Sequence, residues 1–98
     1  MIGIIGAMAV EVENLVSVMK DENIETISSI DYHIGKIEGV DCVVAQCGVG
    51  KVAAAVCTQT MILKYMTDKV INVGVAGGIG NSIHIGDIVI SKGLVQHD

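Results

Sequence analysis

The apolar residues of this chain fall into short, nearly uninterrupted runs separated by polar or glycine-rich turns. Runs of this kind are typical of buried strands in a largely parallel sheet, where both faces are covered. They predict strands at residues 2–6, 40–46 and 70–75, and shorter strands at 88–90 and 94–96. Residues 25–38 alternate between apolar and polar positions instead, which predicts an antiparallel pair or one bent strand that turns at Glu38-Gly39.

Two segments carry apolar residues at helical spacing. The first helix is predicted from about residue 8 to residue 20, with one buried stripe formed by Met8, Val12, Leu15, Val16 and Met19. The second helix is predicted from about residue 51 to residue 66. Helices that alternate with apolar strands indicate an α/β fold with a partly parallel sheet.

The second predicted helix is apolar in two directions. One side carries Val52, Val56 and Leu63, and roughly the opposite side carries Ala54, Cys57, Met61 and Tyr65. Two helices are also few for a sheet whose strands are buried on both faces. We therefore expect either the first half of a larger domain or a chain that oligomerises through a large apolar surface.

The chain has 98 residues, enough for one small domain, with six lysines, no arginine and a net charge of −5. This balance argues against a nucleic-acid surface and against a site built for bidentate phosphate binding by arginine. No apolar run reaches the length of a membrane span, and the chain starts with a strand, without a charged leader. The three cysteines form no C-x-x-C pair, which predicts a reduced, cytoplasmic protein. Neither a metal nor a cofactor is expected, since His33, His84 and His97 lack metal-type spacing.

Three predicted strands end in small-residue turns, at residues 6–7, 48–50 and 76–78. In a parallel α/β sheet the ligand crevice lies beyond the carboxyl ends of the strands, where glycine lets a ligand approach the backbone. One such turn alone would indicate only a change of chain direction, but three on one rim favour a ligand crevice. A dinucleotide fingerprint fits poorly. Gly48, Gly50 and Ala53 match it only weakly, and the acidic residue expected at the end of the next strand is missing, since Asp68 lies before a strand instead.

Glu11 is the side chain whose role is most open. It flanks the apolar stripe in the first turn of the predicted helix, whereas Glu13 lies on the solvent side. A carboxylate beside a helix N-terminus stabilises the helix by about 0.3–1 kcal/mol, which accounts fully for Glu13. For Glu11 a general base or a ligand acceptor is an equal alternative. Met8 belongs to the helix stripe or lines a pocket, and these two roles are compatible.

The other polar candidates have plainer interpretations. His97 and Asp98 are adjacent, so on a strand they point to opposite faces and do not form a catalytic dyad. His33 and His84 are expected to be surface or half-buried histidines. Lys51 follows a glycine turn and is placed to bind an anion, but an ordinary solvated lysine is the expectation.

Four motifs occur in order along the chain: I-G-I-I-G-A-M-x-x-E at 2–11, C-G-V-G-K-V-A-A-A at 47–55, N-V-G-V-A-G-G at 72–78, and G-D-I-V-I-S at 86–91, before H-D at 97–98. Together they resemble the methylthioadenosine/S-adenosylhomocysteine nucleosidases of the nucleoside phosphorylase-like α/β family. The resemblance extends over all 98 residues. It implies a single, incomplete domain over residues 1–98, with a three-layer fold and a mixed, partly parallel sheet, truncated to about its first half.

The resemblance also implies an activity and a set of site residues. The activity is hydrolysis, by water and without a cofactor, of the bond between adenine and ribose in a small nucleoside substrate. Glu11 takes the position of the water-activating glutamate, Met8 lies near the ribose, and Val49 matches an apolar contact. The segment that lines the sugar and the base is matched by Val75, Ala76 and Gly77. Some relatives carry serine at position 75, so a hydroxyl contact is lost here, and a homodimer is implied as well.

Phosphorylases of the same family carry a Gly-Asp-Pro-x-x-Arg-like loop after the first strand, where this chain has Gly6-Ala7-Met8 and no arginine. Water is therefore favoured over phosphate as the nucleophile. Family members are more than twice as long, so the aspartate that protonates adenine and a second glutamate are expected outside these residues. Loss of a general acid costs roughly 10²–10⁴-fold in rate, so we expect this polypeptide alone to be inactive. A non-catalytic nucleoside-binding or assembly module and a nucleoside phosphorylase of the same fold remain as alternatives.

Overall fold

A computed structural model describes residues 1–74 and Ile90, apart from the side chain of Glu11. Within this part of the chain, strands and helices follow one another along the sequence. They are β1 (Ile2–Gly6), α1 (Ala9–Ser17), β2 (Lys20–Ile27), β3 (Ile30–Ile37), β4 (Val40–Gln46), α2 (Lys51–Tyr65) and β5 (Lys69–Val73). Neither of these two helices is long and apolar enough to span a bilayer.

The described strands form one sheet in the order β2-β3-β4-β1-β5. β1 is parallel to both of its neighbours, β4 and β5. By contrast, β2, β3 and β4 are joined by antiparallel pairing. The parallel strands are connected through helices, as parallel neighbours require, and the antiparallel ones through short turns. The predicted mixed, partly parallel sheet is confirmed.

One described helix covers each face of the sheet, which gives three layers. α1 packs on the face that carries Ile4 and Val44, and Val12 is buried against them. α2 packs on the opposite face, where Cys57 and Met61 are fully buried. Neighbouring residues of a strand point to opposite faces, so one continuous apolar run supplies both layers of the core.

The second helix has the two apolar sides that its sequence predicts. Cys57 and Met61 face the sheet, whereas Val52 and Leu63 remain 73% and 71% exposed. Val56 is exposed between them on the same side of the helix. We call Val52, Val56 and Leu63 the α2 stripe. Within the described residues this stripe is an uncovered apolar surface, as expected for a helix that packs in two directions.

The first helix is shorter than predicted. It spans Ala9–Ser17 instead of continuing to residue 20, and Met8 lies before its start. Lys20 already pairs with Lys36 as the first residue of β2. The predicted end of the helix is therefore wrong. The polar residues that follow form an edge strand, whose exposed side chains need no apolar character.

Of the two alternatives for residues 25–38, the antiparallel pair is confirmed. β2 turns into β3 at Ser28 and Ser29, whose φ angles of 51° and 65° are left-handed. Two-residue hairpin turns of this hand usually carry Asn or Gly, so a turn made of two serines is not recognisable from the sequence. The second turn, at Glu38-Gly39, lies where it was predicted, between β3 and β4.

The remaining bounds agree closely with the sequence pattern. β1 and β4 have the predicted ends, and α2 stops one residue before its predicted end. β5 spans Lys69–Val73, so the strand predicted over 70–75 is shifted toward the N-terminus. The strands predicted at 88–90 and 94–96 concern residues outside the described part of the chain, except Ile90, which is exposed.

Candidate functional site

Three parallel strands end together at one edge of the sheet. In the strand register, Gly6 of β1 lies between Gln46 of β4 and Val73 of β5. The backbone N–H of Cys47 extends this pairing by donating to the Gly6 carbonyl oxygen at 2.8 Å. We call this edge, marked by Gly6, Gln46 and Val73, the ligand rim. In open α/β sheets, ligands bind beyond the carboxyl ends of parallel strands, which is where this edge lies.

The turn from β4 into α2 stands on the ligand rim. It consists of Gly48, Val49 and Gly50, and its two glycines have left-handed φ angles of 88° and 105°. Val49 is 81% exposed between them. Gly50 caps α2 without a side-chain hydrogen bond. A helix that begins at such a turn directs N–H groups toward the rim, where they can bind polar or anionic ligand atoms.

Met8 and Glu11 follow β1 on the same rim. Met8 lies in the bend before α1 and is 55% exposed, so its predicted place in the buried helix stripe is wrong. The reason is that the helix begins only at Ala9. The other predicted role of Met8, that of a pocket-lining residue, stays a prediction. Glu11 is the third residue of α1, in the turn next to the rim, and its side chain lies outside the described structure, so its role stays a prediction.

The predicted site residues Val75, Ala76 and Gly77 lie outside the described part of the chain. So do His84, His97 and Asp98, for which no site role was predicted. β5 ends at Val73, level with Gly6 of β1. The roles that the resemblance assigns to residues 75–77 stay predictions.

A cleft of about 640 Å³ runs between α1 and the hairpin of β2 and β3. Its floor includes Val12 and Val16, and Glu13, Asp31 and His33 are among its polar lining residues. Glu13 is exposed, as predicted, but it borders this cleft instead of facing open solvent alone. The pattern along the sequence gave no sign of the cleft, because it depends on where the hairpin lies relative to the helix.

The cleft reaches the ligand rim, since its lining includes Gln46, Cys47 and Gly48, whereas Met8 and Val49 are not among its described lining residues. The rim is the better candidate for the functional site. It combines backbone groups at the ends of parallel strands with glycines that admit a ligand. Away from the rim the cleft is bounded by α1 and the hairpin, where Asp31 and His33 already bond to other hairpin residues.

The polar side chains on the hairpin are paired. The His33 ring Nδ1 is bonded to the carboxylate of Glu22 on β2, and the Thr26 hydroxyl donates to Asp31 Oδ1 at 2.6 Å. The prediction of a half-buried His33 is confirmed, since its side chain is 20% exposed. Its partner Glu22 was missed, because the polar residues around it were interpreted as the end of a helix instead of a strand.

The buried cysteine and tyrosine under α2 do not provide a nucleophile. Burial raises the pKa of the Cys57 thiol above its ordinary value, and burial also raises the pKa of Tyr32. Both side chains belong to the core between α2 and the sheet. A thiol that stays protonated at neutral pH is unreactive, so Cys57 is a structural residue. Among residues 1–74, apart from Glu11, no three His, Cys, Asp or Glu side chains are grouped to hold a metal ion.

A family model described as the phosphorylase superfamily matches residues 1–98. The 5′-methylthioadenosine/S-adenosylhomocysteine nucleosidase of Shewanella loihica is 48% identical to this chain over 97 residues. The match covers 99% of this chain and 42% of that protein. The chain therefore spans less than half the length of such relatives.

Solved structures lead to the same group of proteins. A 5′-methylthioadenosine/S-adenosylhomocysteine nucleosidase from Colwellia psychrerythraea, in complex with adenine, matches with a TM-score of 0.85 and 41% identity, over 88% of this chain and 36% of that one. The Streptococcus pneumoniae enzyme with a transition-state inhibitor matches with a TM-score of 0.85 and 32% identity, over 88% and 37%. These similarities confirm the resemblance drawn from the four motifs and the fold that it implies.

Proposed function

Because the chain belongs to the phosphorylase superfamily, we propose that it forms the nucleoside-binding rim of an enzyme that hydrolyses the N-glycosidic bond of 5′-methylthioadenosine and S-adenosylhomocysteine, releasing adenine. The observation that carries the proposal is the ligand rim itself. At the rim, the ends of β4 and β1 are joined by the hydrogen bond from Cys47 to Gly6. The fold that contains them matches an adenine-bound nucleosidase at 41% identity. The identity of 48% to a curated nucleosidase supports the same substrate class.

In this proposal Glu11 is the general base. Its carboxylate takes a proton from water, the water oxygen bonds to the anomeric carbon, and the bond from that carbon to adenine breaks. The electron pair of the broken bond goes to adenine, which takes up a proton from an acid. The position of Glu11 in the first turn of α1 supports this role, because a helix N-terminus favours the ionised carboxylate that a base requires.

The other proposed contacts are apolar or involve the backbone. Met8 and Val49 contact the ribose side of the nucleoside, which their exposure beside the rim supports. Residues 75–77 line the sugar and the base, which the end of β5 at the rim supports. Apolar surroundings of this kind exclude bulk water, so that other water molecules do not displace the one that Glu11 activates.

Water is proposed as the nucleophile in preference to phosphate. The chain contains no arginine, the residue best suited to bind phosphate through two parallel hydrogen bonds. The turn after β1 offers Gly6, Ala7 and Met8 in place of charged groups. A phosphorolytic reaction would need a cation near the anomeric carbon to hold the attacking phosphate.

For a polypeptide of these 98 residues alone we propose nucleoside binding without turnover. The acid that protonates adenine in the proposed reaction is, by resemblance, not among the residues present. A non-catalytic nucleoside-binding module, the alternative function, would also bind without hydrolysis. The two functions differ in whether Glu11 supports hydrolysis when the rest of the fold is supplied.

We further propose that the chain self-associates, forming a homodimer in the complete enzyme. The α2 stripe supports this, because it leaves three large apolar side chains exposed along one helix. We also propose a reducing, cytoplasmic location. The three cysteines of the chain are buried as free thiols, which supports that location.

The proposal is tested by a chimaera in which this chain replaces the matching 97 residues of the Shewanella loihica nucleosidase. The chimaera is expected to release adenine from 5′-methylthioadenosine without added phosphate. Glu11→Gln should lower kcat by roughly 10²–10⁴-fold, since the amide cannot take a proton from water.

Glu13→Gln is the matched control, because it is the same change two residues along the same helix at an exposed position. It should leave kcat unchanged. A folded chimaera that binds the nucleoside but hydrolyses it equally well with Gln at position 11 would refute the catalytic role. Turnover that depends on phosphate would support the phosphorylase alternative instead.

A further inference from the structure

We propose that Cys47 is a positioning residue that sets the conformation of the Gly48–Gly50 turn and thereby presents Val49 to the nucleoside. The second half of this statement rests on the proposed function, since Val49 contacts a substrate only if the ligand rim binds one. The first half concerns the free protein, where Cys47 either holds the turn or does not.

The two glycines of the turn have open space where a side chain would stand. A Cβ built on Gly50 would meet no atom within 4 Å, and the nearest atom to one built on Gly48 would be Ala53 Cβ at 3.8 Å. Val49 is largely exposed. Two glycines in an open turn have a wide choice of backbone conformations, so a single arrangement requires hydrogen bonds to select it.

At the helix end of the turn, the Ala54 N–H donates to the Gly50 carbonyl oxygen at 3.1 Å. At its start, Cys47 provides two further bonds. Its backbone N–H donates to the Gly6 carbonyl at 2.8 Å, and its thiol donates to the Gly48 carbonyl at 3.3 Å. The side chain itself is only 7% exposed and packs in the same core cluster as Cys57 and Met61. The thiol is therefore fixed by the core while it bonds to the first carbonyl of the turn.

The bonded carbonyl controls the direction of the next residue. The peptide unit between Gly48 and Val49 is planar, so fixing the Gly48 oxygen also fixes the Val49 N–H, which points the opposite way. That plane is one of the two that flank Val49, so fixing it narrows the directions that the Val49 side chain can take. Loss of the thiol bond would leave the backbone bond from Cys47 to Gly6 intact. It would allow the peptide unit between Gly48 and Val49 to rotate.

The experiment compares Cys47→Ala, which removes the donor, with Cys47→Ser, which keeps one. Cys42→Ala is the matched control, because Cys42 is equally buried but lies in the core under α1. In the ligand-free chain we measure the carbonyl ¹³C resonance of Gly48, which reports hydrogen bonding to that oxygen. We expect it to move in Cys47→Ala, to return toward the wild-type value in Cys47→Ser and to stay unchanged in Cys42→Ala.

The same proteins are titrated with 5′-methylthioadenosine. Cys47→Ala should raise the dissociation constant about two- to threefold, the low end of what one hydrogen bond contributes, because a thiol is a weak donor, and Cys47→Ser should recover the affinity. If Cys47→Ala does not fold, Cys47→Val fills the space without a donor and takes its place.

An unchanged Gly48 resonance in the variant without a donor would overturn the role of Cys47, as would an equal shift in Cys42→Ala. A wild-type chain that does not bind 5′-methylthioadenosine would count against the proposed function, while the Gly48 resonance would still decide the role of Cys47. Affinity lost in Cys47→Ala and not recovered in Cys47→Ser would show that packing, and not the thiol bond, is what matters.

Discussion

The carbonyl oxygen of Lys20 lies directly over Gly35, so that a Cβ built on Gly35 would stand only 2.7 Å from it. The same Cβ would lie 2.7 Å from Cγ of Met19. The chain between α1 and β2 therefore crosses β3 at a point where only hydrogen fits in place of a side chain. This crossing sets where the hairpin lies relative to α1, and so it also shapes the cleft between them.

Gly35→Ala is expected to lower the free energy of unfolding by about 1–3 kcal/mol or more, because a backbone oxygen cannot move aside without shifting the chain. Gly3→Ala is the comparison. Its Cβ would come within 2.7 Å of Met61 Sδ, the flexible end of a side chain that can adopt another rotamer. Urea unfolding of both variants should therefore show the larger loss for Gly35→Ala. A larger loss for Gly3→Ala would mean that the chain crossing β3 accommodates a methyl group more easily than the core under α2 does.

The α2 stripe is expected to drive self-association of the chain. Sedimentation velocity at micromolar concentration should show a species larger than the monomer. Replacing both Val56 and Leu63 by Glu should yield the monomer, because each charge would have to be buried in an apolar contact. Val18→Glu introduces a charge at an equally exposed apolar position at the end of α1 and should leave the association intact. A wild-type chain that sediments as a monomer would contradict this role of the stripe.

Met66→Gly is expected to stabilise the chain. Met66 ends α2 in the left-handed conformation, with a φ of 53°, and is 81% exposed, so it carries a backbone cost without a packing gain. Glycine avoids that cost, which is worth roughly 0.5–1 kcal/mol in the free energy of unfolding. Ala55→Gly, at an exposed position inside α2, should lose about 1 kcal/mol. Two changes of the same sign in thermal unfolding would contradict the conformational explanation.

Alkaline pH is expected to destabilise the fold. Burial raises the pKa of the Cys57 thiol and of the Tyr32 and Tyr65 hydroxyls above their ordinary values in the folded chain. As the pH rises through the ordinary range of thiols and phenols, the unfolded chain therefore releases protons that the folded chain keeps, and the free energy of unfolding falls. Below that range this stabilisation is fully present. Cys57→Ala should remove the earliest part of the decline and keep the part contributed by the two tyrosines, as measured by urea unfolding across the alkaline range.

The apolar runs made the central part of the fold predictable. Residues 2–6 and 40–46 could be identified as strands because both faces of the sheet bury them, and burial leaves a continuous apolar pattern. The edge strand β2 could not be identified in this way, because its residues are largely exposed. Its turn at Ser28 and Ser29 was concealed as well, since neither residue is one that usually adopts a left-handed conformation.

For the candidate site, the sequence predicted the elements better than the contacts. Glycines after β1 and β4 indicated a shared rim, and the strand register places the ends of those strands side by side. The thiol bond from Cys47 to Gly48 could not be predicted, because it depends on the rotamer that the core under α2 selects. The cleft beside Glu13 was likewise unpredictable, since it arises from the spacing between a helix and a hairpin that are distant in sequence.

The central claim, that the ligand rim binds a nucleoside, is tested most directly by titrating the ¹⁵N-labelled chain with 5′-methylthioadenosine. The amide resonances of Gly48, Val49 and Gly50 and of the first turn of α1 should shift together and saturate. Those of Ser29 and Asp31, which line the cleft, should remain in place. Inorganic phosphate at the same concentration should not reproduce the pattern. Shifts confined to the hairpin side of the cleft, or no saturable shifts at all, would contradict the claim.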